Sequence, residues 1–286
     1  MVDQPVWDLL ADVQLLLRFH FMQNALAVGT LVALLTGVIG YFVVIRGQSF
    51  ATHTLSQVGF PGAAAGVLAH TSPVLGLVVF CAAAALGIGL SGRGTAAGRR
   101  SESAAVGSIL AFSLALGLLF VRLYAGSAQA VYAFLFGTIL GIGDRDVAAT
   151  ALTTAAGLAA MAVMGRPLLF ASVDPEAAEA RGVPVRAIAI LFLVLVALSV
   201  AVAVQVVGTL LVFALLVTPG AISLRLTANP ALALVLTVGL ALLFLWTGLA
   251  VAYFTLLPVG FVVTSLSFLT YAAVRFGRPA LRLVAA

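Results

Sequence analysis

The stretch AIAILFLVLVALSVAVAVQVVGTLLVFALLVTPGAISL, residues 187–224, carries no charged side chain. As one helix it would be about 57 Å long at 1.5 Å per residue. A bilayer's hydrocarbon core is only about 30 Å thick. The stretch must therefore hold two helices, and the chain is expected to fold back near Gln205–Gly208. Further apolar runs lie on both sides of it, at 25–45, 54–70, 73–91, 104–121, 147–165, 231–252 and 259–274. With 187–204 and 206–224 they number nine, each near the length of about 20 residues that a spanning helix needs. They are too long and unbroken for a β-barrel, whose strands alternate over segments of about ten residues. The fold class is an all-α integral membrane protein, a polytopic helical bundle of about eight to nine transmembrane helices.

Composition supports this. Of 286 residues 63% are hydrophobic and 8% charged, against about 45–50% and about 25% in an ordinary globular domain. So few charges cannot cover a water-facing surface, which excludes a soluble enzyme, a nucleic-acid-binding module and a disordered chain. The net charge of +5 comes from arginine alone, since the chain has no lysine. If the nine runs alternate, eleven arginines fall on one side and only Arg18, Arg122 and Arg145 on the other. The arginine-rich side is cytoplasmic by the positive-inside rule, which predicts a multi-pass protein of a prokaryotic cytoplasmic membrane. The chain reads as one transmembrane domain over 1–286. Within it, 1–22 reads as an interfacial amphipathic segment and 130–142 as a short re-entrant or surface helix. The N-terminal MVDQPVWDLLADVQ has no basic start and does not read as a cleaved signal peptide. Cys81 is the single cysteine and reads as a small apolar residue.

Two segments could carry chemistry. In 171–186, the run DPEAAEAR is helix-prone. Asp174 suits an N-cap and Pro175 the first helical position, and Gly182 suits the left-handed residue that ends a helix. This predicts a cytoplasmic helix of about two turns, a docking surface rather than a plain solvated loop. In 46–70, His53 and Gln57 are four residues apart and share a helix face, with Ser56 beside them. Pro61 predicts a kink, and Gly62–Gly66 is a small-xxx-small spacing that lets helices approach closely. Polar side chains at membrane depth are costly and often mark a pathway, and imidazole binds transition metals. The alternative is that His53 and Gln57 only hydrogen-bond between helices.

No acidic residue falls within a predicted span, which disfavours a proton-driven carrier. A P-loop needs its lysine, so any ATPase must be a separate chain.

Four blocks make a resemblance: VVIRGQSFATHTLSQVGFPGAAAG (43–66), FLFGTILGI (134–142), PLLFASVDPEAAEARGVPV (167–185) and VQVVGTLLVFALLVTPGAIS (204–223). In this order and spacing, over about residues 22–275, the chain resembles the membrane permease subunits of metal-type ABC importers, the ABC-3 family. The resemblance implies the ABC importer permease fold and a homodimer of permeases on a pair of ABC ATPase subunits. It also implies an extracytoplasmic solute-binding protein that delivers the ion. Asp174, Pro175, Glu176, Ala178 and Gly182 would form the coupling helix. His53 and Gln57 stand where the family carries an Asp and a His that contact metal, with Ser56 between them and Pro61, Gly62 and Gly66 packing the helix. No carboxylate remains in that pair, so zinc is favoured over manganese or iron, or a metal chelate is the cargo. The chain would be a transport subunit rather than an enzyme, with no permanently bound cofactor. An ATPase-independent channel or secondary carrier is the rival reading, and a membrane-embedded enzyme or assembly protein a third.

Overall fold

The computed structural model describes residues 19–91, 96–123, 142–255 and 257–284. The expected amphipathic segment up to residue 18 and the short apolar segment 130–141 lie outside the described residues. Among these residues there are ten helices and no strand. They are α1 (His20–Ile45), α2 (Ser49–Leu68), α3 (Pro73–Ser91), α4 (Ala96–Leu123), α5 (Asp144–Val173), α6 (Pro175–Ala180), α7 (Val185–Val207), α8 (Thr209–Leu226), α9 (Pro230–Thr255) and α10 (Val259–Val284). Seven of the nine apolar runs fall within one long helix each, the run at 206–224 starts three residues before α8, the run at 54–70 ends two residues after α2, and α6 is the short extra helix. Among the described residues seven helices are long and apolar enough to cross a membrane. The uncharged stretch divides at Gly208, whose φ of +83° and ψ of 158° is a conformation only glycine adopts readily.

The chain forms two compact units, Met1–Val44 with Thr138–Thr154 and Ala214–Ala286, and Ile45–Gly137 with Ala155–Phe213. In the first unit, α1 is buried along most of its length. Lipid is as apolar as leucine, so membrane helices associate through small residues and a few hydrogen bonds rather than by escaping water. Gly29 admits the side chains of Leu245 and Leu249, and Gly37 lies against the Val238 backbone. Gly40 meets the Leu216 carbonyl so closely that no side chain would fit there. Trp246 Nε1 donates to Thr30 Oγ1 at 3.0 Å, and the buried hydroxyls of Ser223 and Thr237 pair at 2.6 Å. Such interhelical bonds contribute about 0.6 kcal/mol each on average.

In the second unit, α2 and α3 form a tight hairpin. The turn is a Schellman stop: Thr71 N donates to the Gly66 carbonyl and His70 N to that of Val67, with His70 in the left-handed region at φ 54°. Beyond the turn the two backbones touch. A Cβ on Gly62 would lie 2.8 Å from the Gly76 carbonyl oxygen and 2.9 Å from Leu77 Cα. One on Gly66 would lie 2.9 Å from Pro73 Cα. The Phe60 ring and Pro61 pack on Gly117 of α4, and Gly59 faces Val204 of α7. So α3, α4 and α7 all pack on α2. The outer faces are apolar and exposed, Leu118 at 71% and Val163 at 79%, as lipid contact requires.

Candidate functional site

The buried faces of α2 leave one strip half open, at His53 and Gln57. At 3.6 residues per turn the two sit about 40° apart, and Gly62 lies roughly opposite them. The glycine face thus holds α2 against α3, while the His53–Gln57 face stays available. Ser56 is buried and does not join that opening: its hydroxyl donates back to the His53 carbonyl at 2.7 Å. The His53 ring stands edge-on to Phe213 of α8, with centroids 4.8 Å apart and planes at 69°.

Around this pair, buried side-chain atoms lack hydrogen-bond partners. They are His53 Nδ1, Gln48 Oε1, Thr52 Oγ1 and Thr54 Oγ1, all within seven residues. Thr209 Oγ1 is in the same state, one turn before Phe213 on α8. Native structures keep few such groups, and each calls for water or an ion. Pro61 adds a further acceptor. It has no N–H, so the Gln57 carbonyl has no i+4 donor within the helix. The start of α2 therefore gathers one imidazole nitrogen and several neutral oxygens. Among the described residues no three His, Cys, Asp or Glu side chains converge as a metal cage.

The second candidate, α6, is capped at both ends. Asp174 Oδ1 accepts from Ala177 N at 2.9 Å, and Pro175 holds the first position. At the far end Val183 N donates to the Ala178 carbonyl and Gly182 N to that of Glu179, with Gly182 at φ +79°. This is a Schellman stop closing a helix of six residues. Ala178 is its buried contact, while Asp174, Pro175, Glu176 and Gly182 are exposed. The guanidinium of Arg181 lies 5.5 Å from the Phe170 ring centroid. Beside α6 a cavity of about 760 Å³ is lined by Arg46, Gln48, Ser103, Pro175, Glu179 and Arg186, among others. Arg46 braces it, with Nη1 donating to Ser172 at 3.1 Å and its guanidinium 5.7 Å from the Phe192 ring.

The structure thus places His53 and Gln57 on one open strip and sets Ser56 aside as an internal hydrogen bond. Phe213 and Thr209 escaped the sequence reading, because nothing local ties them to α2. The partnerless Thr52 and Thr54 were visible as a Thr-x-Thr flanking His53, a pattern that periodicity alone does not single out.

Apolar helices of spanning length define the class, a multi-pass helical membrane protein. The model of the ABC 3 transport family matches residues 18–276. The chain is 31% identical over 212 residues to the manganese transport system membrane protein MntC of Halalkalibacterium halodurans, covering 74% of this chain and 72% of that one. It is 31% identical over 204 residues to the manganese import system permease protein ScaB of Streptococcus parasanguinis, 71% of each chain. The fold is similar to PsaBC from Streptococcus pneumoniae in complex with Fab, with a TM-score of 0.81 at 28% identity over 93% of this chain and 95% of that one. An inward-facing putative metal-chelate type ABC transporter shares the fold, with a TM-score of 0.73 at 13% identity over 96% and 93% of the two chains. The chain belongs to the ABC 3 transport family, and it is a multi-pass membrane permease subunit of an ABC transporter.

Proposed function

We propose that this permease moves a divalent transition-metal ion into the cell, with manganese the first candidate, past the His53–Gln57 strip of α2. The observation that carries the reading is the concentration of partnerless polar atoms around that strip in an otherwise apolar unit. Zinc, favoured from the missing carboxylate, gives way to manganese for two reasons. The relatives are manganese systems by name. The strip also holds the Gln57 amide oxygen and the Gln57 carbonyl released by Pro61, and carbonyl oxygens, like the more strongly binding carboxylates, are donors that suit manganese. Neutral donors hold an ion briefly, which a permease needs in order to release it.

The permease works as a homodimer with two ATPase subunits and an extracytoplasmic binding protein, and α6 transmits the ATPase motion. Its double capping supports that role, because a rigid short helix passes on displacement where a loop would absorb it. The test is uptake of ⁵⁴Mn²⁺ and ⁶⁵Zn²⁺ by proteoliposomes containing the complete importer. His53→Ala should abolish most uptake, and Gln57→Ala should lower it less. Normal uptake and selectivity in His53→Asn would move the path elsewhere and leave the pair as a helix tie.

A further inference from the structure

A second polar cluster lies in the other unit, between α1 and α5. His20 opens α1 and Asp144 opens α5, 124 residues apart in the chain. His20 Nε2 stands 2.9 Å from Asp144 Oδ1. Asn24, one turn into α1, brings Nδ2 to 2.9 Å from the same oxygen and 3.2 Å from the Ile142 carbonyl. Imidazole and amide thus meet on one carboxylate oxygen, and the His20 and Asp144 side chains are 71% and 77% exposed.

Stability gives little reason for this gathering, since an exposed ion pair contributes about 0–1 kcal/mol. The 2.9 Å spacing is that of a hydrogen bond, and it is also one that two ligands of a single ion would keep. Two donors each about 2.1 Å from an octahedral ion stand about 3.0 Å from one another. Both partners of the Asn24 nitrogen are acceptors, so the amide donates to them and positions Asp144 and the Ile142 carbonyl rather than offering its own oxygen. The arginine asymmetry places this end of the bundle outside the cell, where the cargo arrives.

We propose that His20 and Asp144, the latter positioned by Asn24, form an external capture site for the divalent cargo ion. The proposal rests on the metal-importer reading above. Imidazole with oxygen donors accepts manganese or zinc. Only these two side chains are donors and solvent fills the remaining positions, so the site binds weakly and hands its ion on.

The experiment uses the full-length permease in lipid nanodiscs, with Mn²⁺ itself as the probe and bound Mn²⁺ read by electron paramagnetic resonance. Asp144→Asn keeps an acceptor for His20 and Asn24, so the tie between α1 and α5 survives while the carboxylate is lost. His20→Gln is the second variant. Loss of an outer-shell partner weakens metal sites about 10–100-fold, and loss of a direct ligand should do at least as much. Both variants should therefore bind Mn²⁺ at least tenfold more weakly, while His53→Ala keeps this external binding. In the complete importer both should need more Mn²⁺-loaded binding protein for half-maximal uptake, at unchanged maximal rate. Unchanged Mn²⁺ binding in both variants overturns the proposal. So does weakened binding with unchanged uptake, the behaviour of an adventitious surface ion only. If the unaltered complete importer moves no divalent metal, the metal-importer reading falls, and this proposal falls with it. Uptake by that importer with no effect of either variant overturns the capture site alone.

Discussion

Melting α6 without touching the bundle should separate ATP hydrolysis from transport. The double variant Asp174→Ala with Gly182→Ala does this from both ends. Removing the Asp174 acceptor for Ala177 N costs about 1 kcal/mol, the usual effect of losing an N-cap. A side chain at Gly182 would meet nothing within 4 Å, so its cost is conformational only. Holding alanine at φ +79° costs about 1–2 kcal/mol. The two sites share no partner, so the costs add to about 2–3 kcal/mol. At 1.4 kcal/mol per tenfold, the ordered-to-melted ratio of α6 falls about 30- to 140-fold. A helix of six residues has no cooperative length to resist this. The assay is the complete importer in proteoliposomes, read as Mn²⁺ moved per ATP hydrolysed, with amide exchange over 175–182 as the report on α6. Exchange should quicken and uptake should drop at least tenfold while ATP hydrolysis persists. Quickened exchange with an unchanged transport ratio would refute the role of α6 in coupling.

Other outcomes follow from the same geometry. Gly76→Val should destabilise the permease by about 1–3 kcal/mol through overpacking, because its Cβ would run into the Gly62 carbonyl; a thermal melt in detergent measures it. His53→Asp with Gln57→His should keep transport and raise the manganese-to-zinc uptake ratio, since a carboxylate favours the harder ion; an unchanged ratio would mean the pair does not meet the cargo. Single cysteines at 174–180 in a Cys81→Ser background should react only with reagent that reaches the cytoplasm, and labelling from outside intact cells would reverse the orientation. Acidification should slow uptake as His53 takes a proton and loses its lone pair for metal, and a flat pH profile in the complete importer would count against that ligand.

The helices were legible because each apolar run is bounded by polar or glycine-containing turns. The stop at Gly208 and both caps of α6 follow from local residue chemistry at Asp174, Pro175 and Gly182. What the sequence hid is long-range. His20 reads as a solvated histidine at a helix end, and only the fold brings Asp144 to it. Phe213 is one of many apolar residues in an uncharged run, so nothing marks it as the ring beside His53. The division into two units is equally hidden, because each unit is assembled from separate stretches of an almost uniformly apolar chain.

The contact between the α2 and α3 backbones has a mechanical consequence. With Gly62, Gly66 and Gly76 at the seam, no layer of side chains lies between the two helices to act as a cushion. Side-chain layers accommodate motion by changing rotamer, and bare backbone has no rotamer to change. The hairpin is therefore expected to resist bending and sliding along this seam and to act as one stiff element. Widening beside His53 and Gln57 is then expected from whatever faces that strip rather than from the glycine seam.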